Sequence, residues 1–404
     1  MTKYLWLGIC LTLFLSATET VENSQTPEGK TVTIQFKENL RLSADSGEDY
    51  HTWTGATVTM DVNNQGHMFV VDTGGNRILE FAPDGTFVRQ IGKKGQGPGE
   101  FQFLKGFRIF KDKEGALAFD DMSNHALFST YDKDMNYVDR KQHQPAGSIE
   151  SLTFSPNGDY MGAFYMTYDP QKGTKTHTAV FDKDFKPVID LTTKKAPNFD
   201  PNKLSDPNWW SDFYGSWFNL VATGLGISAF DNQGNVYTCN TNEYIITKRN
   251  SKLEETLIIK RNYKPIIQTD EDLLAFSDPI RSEIISSLPA SLHPFITPQV
   301  VKNAIEKAEF PARKQPIFGL IPMEDGHLLV VHNFNPQTGE SFADIINKDG
   351  KFVGTTKLPR VSVNFFGSFF GDPVKMMFHK GQAYAIEIND DDEPSLVRYN
   401  VAVN

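Results

Sequence analysis

From Asp61 to Gly92 the chain reads DVNNQGHMFVVDTGGNRILEFAPDGTFVRQIG. Apolar and polar positions alternate in three short runs, His67–Val71, Arg77–Phe81 and Thr86–Ile91. That period of two is the mark of strands with one buried face. NNQG, DTGGN and PDG separate the runs, and such residues form tight turns because Asn and Asp bond their own backbone while Gly accepts left-handed dihedrals. A further apolar run, Ala56–Met60, precedes the first turn. The stretch therefore predicts four antiparallel strands in about forty residues.

The cadence returns at Ile109–Lys141, Leu152–Leu191, Ile227–Lys260, Ile317–Leu358 and Val374–Val403, the last stopping one strand short. Self-similarity of four strands per unit of roughly forty to fifty residues is the signature of a propeller. Lys30–Glu38, KTVTIQFKE, lies ahead of the first copy and is strand-like. It supplies the missing strand, so the two ends of the chain zip the ring shut. The expected fold is all-β: a six-bladed propeller over residues 30–404, closed by an N-terminal strand.

Every turn between first and second strands, and between third and fourth, is tight. The long excursions fall on the opposite face. They include two insertions, 192–226 and 262–316, the second with helical patterning in DEDLLAFSDPIRSEIISSL and TPQVVKNAIEKAEF. Loops grafted on a rigid scaffold are where such folds carry function. These excursions are aromatic: Trp209, Trp210, Phe213, Tyr214, Trp217 and Phe218 in one, and Phe365, Phe366, Phe369 and Phe370 between blades 5 and 6. Two readings stand: a satellite core packing the inserts onto the propeller, or a stacking platform for a sugar, a peptide or another flat ligand.

Composition narrows the partners. The formal charge is −10 with no basic cluster, which argues against nucleic acid. Residues 1–18 read as a secretory signal: a short cationic start, the apolar YLWLGICLTLFL, then SATET with processing near Ser16-Ala17-Thr18. The apolar part is shorter than the about twenty residues a membrane span needs; an uncleaved anchor is the alternative. Beyond it Cys239 is the single cysteine, so no intrachain disulfide forms. Export without disulfides points to a periplasmic, cell-envelope or secreted bacterial protein.

Blade 1, VVDTGGNRILEFAPDGTFVRQIG followed by GQGPGEF, resembles the NHL-repeat family of propellers, and FDDMSNHALF in blade 2 resembles it less closely. The combination is also similar to six-bladed propellers exported to bacterial envelopes. The resemblance implies that Asp72, Asn76 and Arg77 pair across their turn. It also bears on the glycines of GKKGQGPG. A phosphate loop follows a strand and opens a helix, whereas here the glycines run into EFQFLKGFRIF, a strand pattern. They are expected to turn the chain from one blade into the next.

No HExxH, GxSxG or CxxC occurs. Cations at inner-strand starts, Arg108, Arg313, Lys314 and Lys375, either converge on an anionic ligand or pair with nearby acids. His332 ends a second strand beside the large loops and is a weak metal candidate. Asp390 and Asp392, in NDDDE, are others, since calcium takes several oxygens, although their spacing matches no calcium loop and a solvated acidic loop is the preferred reading. No cofactor is expected, a divalent metal being the exception to test. The residues support a binding or scaffold protein that captures a small molecule, sugar, peptide or protein partner through Trp209, Trp210, Tyr214, Trp217, Phe366, Phe369, Arg108 and Arg313. The alternative is a metal-dependent enzyme, lactonase- or lyase-like, with its site in the central channel.

Overall fold

The computed structural model describes residues 18–44, 48–53, 58–111, 114–122, 125–143, 148–169, 171–275, 277–333, 340–360, 374–389 and 393–404. The first two strands, β1 (Glu19–Asn23) and β2 (Ile34–Leu42), join sheets whose other members come far later. Blade 1 then comprises β3 (Thr59–Val62), β4 (Met68–Asp72), β5 (Arg77–Phe81) and β6 (Phe87–Ile91). Blade 2 comprises β7 (Leu104–Ile109), β8 (Ala116–Met122), β9 (His125–Tyr131) and β10 (Tyr137–His143). Blade 3 holds β11 (Ser148–Phe154), β12 (Tyr160–Asp169), β13 (Gly173–Asp182) and β14 (Pro187–Lys195), and helix α1 (Pro207–Ala222) follows it. Blade 4 has β15 (Gly226–Phe230), β16 (Val236–Asn240), β17 (Ile245–Arg249) and β18 (Glu255–Arg261). After α2 (Asp270–Ala275), α3 (Ser277–Ser287) and α4 (Pro298–Lys307), blade 5 is built from β19 (Gly319–Pro322), β20 (Leu328–His332), β21 (Phe342–Ile346) and β22 (Phe352–Lys357). Blade 6 contributes β23 (Met376–His379), β24 (Gln382–Ile388) and β25 (Pro394–Val403).

The core lies between blades. Second strands are sandwiched on both faces, so every residue of β4 and of β20 is buried. Phe69 and Val71 of blade 1 pack with Phe107, Ile109 and Ala118 of blade 2, and equivalent apolar clusters fill other seams around the ring.

The ring closes as the sequence predicts, with a shift. The outer strand of blade 6 is β2, four residues beyond the expected start at Lys30, and it pairs antiparallel with β25 from Ile34 opposite Val403 to Leu42 opposite Leu396. What the sequence does not announce is β1. It adds a fifth, parallel strand to blade 4, Glu19 opposite Leu257 through Asn23 opposite Arg261. Between β1 and β2 the chain forms a strap across blade 5. The amide of Glu28 donates to Phe352 O at 2.8 Å and that of Val32 to Val353 O at 2.8 Å. A Cβ at Gly354 would sit 2.0 Å from Val32 O, so the strap passes only because glycine is there.

The two insertions fold together rather than as loops. Helix α1 starts at Asp206, whose carboxylate accepts from the Asn208 amide, with Pro207 in the first turn; α4 starts likewise at Thr297 and Pro298. Both are standard N-terminal caps. Trp210, Tyr214 and Phe218 recur every fourth residue on one face of α1 and pack with Ile280 and Ile284 of α3 and Val301 and Ala304 of α4. A short ribbon stems this unit from the propeller: Gln268 N donates to Ala312 O at 3.1 Å and Lys314 N to Ile266 O at 2.8 Å.

Candidate functional site

The two faces of the ring differ. On the face of tight turns, the first turns of the blades are tied to one another. Lys380 Nζ donates to Asn64 O at 2.5 Å, and Asn64 Nδ2 donates to Lys111 O at 3.0 Å. The Lys111 amide donates to Pro156 O at 3.0 Å, and its Nζ reaches past blade 3 to Asn232 Oδ1 at 3.3 Å. Asn232 Nδ2 donates to Glu324 Oε1 at 3.1 Å, and the Gly381 amide returns to Glu324 Oε2 at 3.2 Å. All six blades contribute to this polar circuit. Three histidines on this side sit against acids: His67 at 2.7 Å from Glu80, His327 at 3.0 Å from Asp325 and His379 at 3.5 Å from Glu324.

The glycine-rich link after blade 1 does hold an anion, and the anion is its own. The amide of Gly97 donates to Glu100 Oε2 at 2.9 Å, and Lys93 Nζ lies 3.4 Å from Oε1. These contacts, the Gly97 amide first, hold the Glu100 carboxyl below its ordinary range. A Cβ at Gly95 would sit 2.0 Å from the same carboxylate, so the loop is shaped around Glu100. Nearby, Arg77 Nε donates to Asp72 Oδ2 at 2.8 Å. Asn76, in a left-handed conformation, accepts the Leu104 amide of blade 2 at 2.9 Å. Asp72 and Arg77 thus pair across their turn, whereas the Asn76 side chain ties blade 1 to blade 2 instead.

On the opposite face the aromatic residues of α1 divide into two rows. Trp210, Tyr214 and Phe218 form the inner row; Trp210 is 0% exposed and its Nε1 donates to Leu204 O at 2.8 Å. This corrects the expectation for two residues: burial keeps the rings of Trp210 and Tyr214 from meeting a ligand, and they serve as the core of the insert. Trp209, Phe213 and Trp217 form the outer row, each partly buried. Trp209 stacks on Phe213 at 5.1 Å, and Phe199, 54% exposed, meets both edge-on at 5.7 and 6.0 Å. Phe366 and Phe369, with Asp390 and Asp392, lie outside the described residues.

The cations do not converge. Arg108 Nη1 lies 3.5 Å from Asp61 Oδ1, itself fully buried and accepting the Ile109 amide at 2.7 Å. Lys314 pairs with Asp272 at 2.7 Å in the stem. Arg313 is exposed, opposite Ile267 in the same ribbon. Lys375 is half-buried ahead of β23. The pairing explanation accounts for Arg108 and Lys314, and Arg313 stands apart from both.

His332 belongs to a network at the seam of blades 4 and 5 that is illegible in the sequence. Asp344, 1% exposed, accepts from Tyr244 Oη at 2.8 Å, from Thr355 Oγ1 at 3.1 Å and from Arg261 Nη1, and His332 Nε2 lies 3.2 Å away. The Arg261 guanidinium sits over the Phe352 ring at 3.7 Å. Burial, reinforced by Asp344, pushes the Tyr244 phenol far above its ordinary range, so it stays protonated and donates to Asp344. Among the described residues no group of three or more His, Cys, Asp or Glu could hold a metal ion.

The sequence profile of DUF5128, a 6-bladed beta-propeller, matches residues 57–198. Solved structures are similar over nearly the whole chain at low identity. A DUF4221 member from Bacteroides vulgatus is 11% identical with a TM-score of 0.50, covering 92% of this chain and 98% of its own. A protein described as exported, from Bacteroides fragilis, is 14% identical with a TM-score of 0.46, covering 95% and 99%. The aldose sugar dehydrogenase of Streptomyces coelicolor, in its PQQ-bound form, is 9% identical with a TM-score of 0.44, covering 93% and 100%. No curated protein matches. The NHL label finds no support in these comparisons. Blade count, strand order and profile agree on the fold: the chain is a six-bladed β-propeller.

Proposed function

We propose that this is an exported binding propeller that captures a small ligand, sugar or peptide on the face bearing the insertions. The observation that carries the reading is the outer row of α1. The inner row already fills the insert core, yet Trp209, Phe213 and Phe199 build a second aromatic surface that is not fully buried. Partly exposed rings in mutual contact are surfaces on which flat apolar groups stack. The leader-like residues 1–18 support export.

The test is intrinsic tryptophan fluorescence of the purified protein, titrated with oligosaccharides and short peptides. A saturable response that Trp209→Ala and Phe213→Ala each weaken by about tenfold is expected. No response to either class, or a response unchanged in both variants, would sink the reading. Elemental analysis in parallel speaks to catalysis: a stoichiometric divalent metal would favour the lactonase- or lyase-like alternative.

A further inference from the structure

The outer row of α1 fixes how its rings are turned. Trp209 and Phe213 lie 25° apart at 5.1 Å, so each covers one face of the other. Trp217 meets Phe213 at 73° and 6.4 Å. Phe199, from the segment ahead of α1, stands at 72° to Trp209 and at 75° to Phe213. This ring comes from outside the helix and is still 54% exposed. The chain has therefore docked one of its own aromatic side chains on the row, at a steep angle to both rings it touches.

We propose that this row binds an extended, basic peptide segment carrying aromatic side chains at alternate positions. The proposal rests on the reading that the outer row captures a ligand, and it gives that ligand its chemistry. Ring geometry decides between sugar and peptide. A sugar lies flat on an open ring face, and the stacking of Trp209 on Phe213 takes one face of each out of use. Aromatic rings have a negative face and a positive edge, so they favour steep pairs with one another. Those are the pairs Phe199 already makes, and an incoming aromatic side chain repeats them. Spacing points the same way. Trp209, Phe213 and Trp217 follow one another at four-residue steps of α1, a rise of about 6 Å each. Alternate side chains of an extended peptide project to one side about 7 Å apart, so the two repeats stay in step over neighbouring rings.

Charge sets the sign of the partner. Residues 199–217 hold three carboxylates, Asp200, Asp206 and Asp212, against one lysine, Lys203. Asp206 and Asp212 are exposed, and Asp212 pairs with Lys307 of α4 at 2.6 Å. With Lys307 counted the acids still outnumber the cations, in a chain whose formal charge is −10. A cationic peptide is therefore complementary and an acidic one is repelled.

The experiment is isothermal titration of the full chain with a short peptide alternating phenylalanine and lysine. Its counterparts are the same peptide with glutamate for lysine, the same with leucine for phenylalanine, and a cello-oligosaccharide. The phenylalanine–lysine peptide binds, the two altered peptides bind several-fold more weakly, and added salt weakens the first. Phe199→Ala is the key variant. Its ring is more than half exposed and lies outside the helix, so the melting temperature holds while affinity falls roughly three- to tenfold. Trp209→Ala lowers affinity by a similar factor, and Trp209→Phe, which keeps a ring, by less. No binding of the phenylalanine–lysine peptide, equal binding of either altered peptide, or wild-type affinity in Phe199→Ala would overturn the proposal. Saccharide binding that Trp209→Ala weakens, without peptide binding, leaves the row as a ligand surface and removes only the peptide. Peptide binding that neither Phe199→Ala nor Trp209→Ala alters puts the site elsewhere and removes both readings.

Discussion

The strap rests on Asn23 more than on any other side chain. This residue is 7% exposed, and its amide makes three bonds: Nδ2 donates to Lys260 O at 3.1 Å and to Gly350 O at 2.9 Å, and Oδ1 accepts the Phe352 amide at 2.8 Å. One side chain thus joins β1 to the outer strand of blade 4 and to the outer edge of blade 5. Asn23→Ala removes all three bonds. At about 1 kcal/mol each the loss is ~3 kcal/mol, less whatever water at the rim restores, so about 2.5 kcal/mol. Roughly 2.1 cal/mol/K per residue over some 370 residues gives an unfolding entropy near 0.8 kcal/mol/K, and the expected fall in Tm is about 3 °C. Asn23→Asp sharpens the test. It keeps the acceptor for Phe352 but turns a carboxylate oxygen toward the carbonyls of Lys260 and Gly350, so it is expected to match or exceed the alanine variant. The assay is thermal unfolding by circular dichroism, with hydrogen exchange of residues 352–357 as the local readout. Melting within about 1 °C of wild type in both variants, with unchanged exchange, would refute the claim that this side chain holds the strap.

Two further outcomes follow from the insert. Trp210→Ala empties the largest fully buried side chain of the helical core and is expected to cost about 3–5 kcal/mol there; limited proteolysis should open residues 197–222 and 269–311 while the blades resist. Lys194 of β14 donates to Leu220 O at 3.1 Å, to Thr223 Oγ1 at 2.7 Å and to Gly224 O, tying off the end of α1, and burial lowers its ammonium to about 8. The unfolded chain then binds more protons between about pH 8 and pH 10. Stability from this group therefore rises with pH across that window, and Lys194→Met should flatten the rise in Tm measured at each pH.

The propeller was legible because each blade repeats a local code. DKDF, DNQG and NKDG set turns whose Asp182, Asp231 and Asn347 accept amides two or more residues on, and the strands between them alternate in burial. Helix α1 was not legible as a helix, since WWSDFYGSWF is rich in residues with indifferent helix propensity. Its signals were Asp206-Pro207 and the four-residue spacing of Trp210, Tyr214 and Phe218. Strand β1 carries no pattern, because most of it faces solvent at the edge of blade 4. The Asp344 network was out of reach for a different reason. Its partners lie 11 to 100 residues away in sequence, and only the closing of the ring brings them together.

The strap also arranges its attachments in series. Pulled from the side of residue 18, the chain must first lose β1 from blade 4, then the Asn23 clamp, then the bonds of Glu28 and Val32 to blade 5. Only afterwards does tension reach β2 and the seam it shares with β25. Opening the ring from this end therefore takes several successive barriers rather than one. The joint on which the circle depends bears load last.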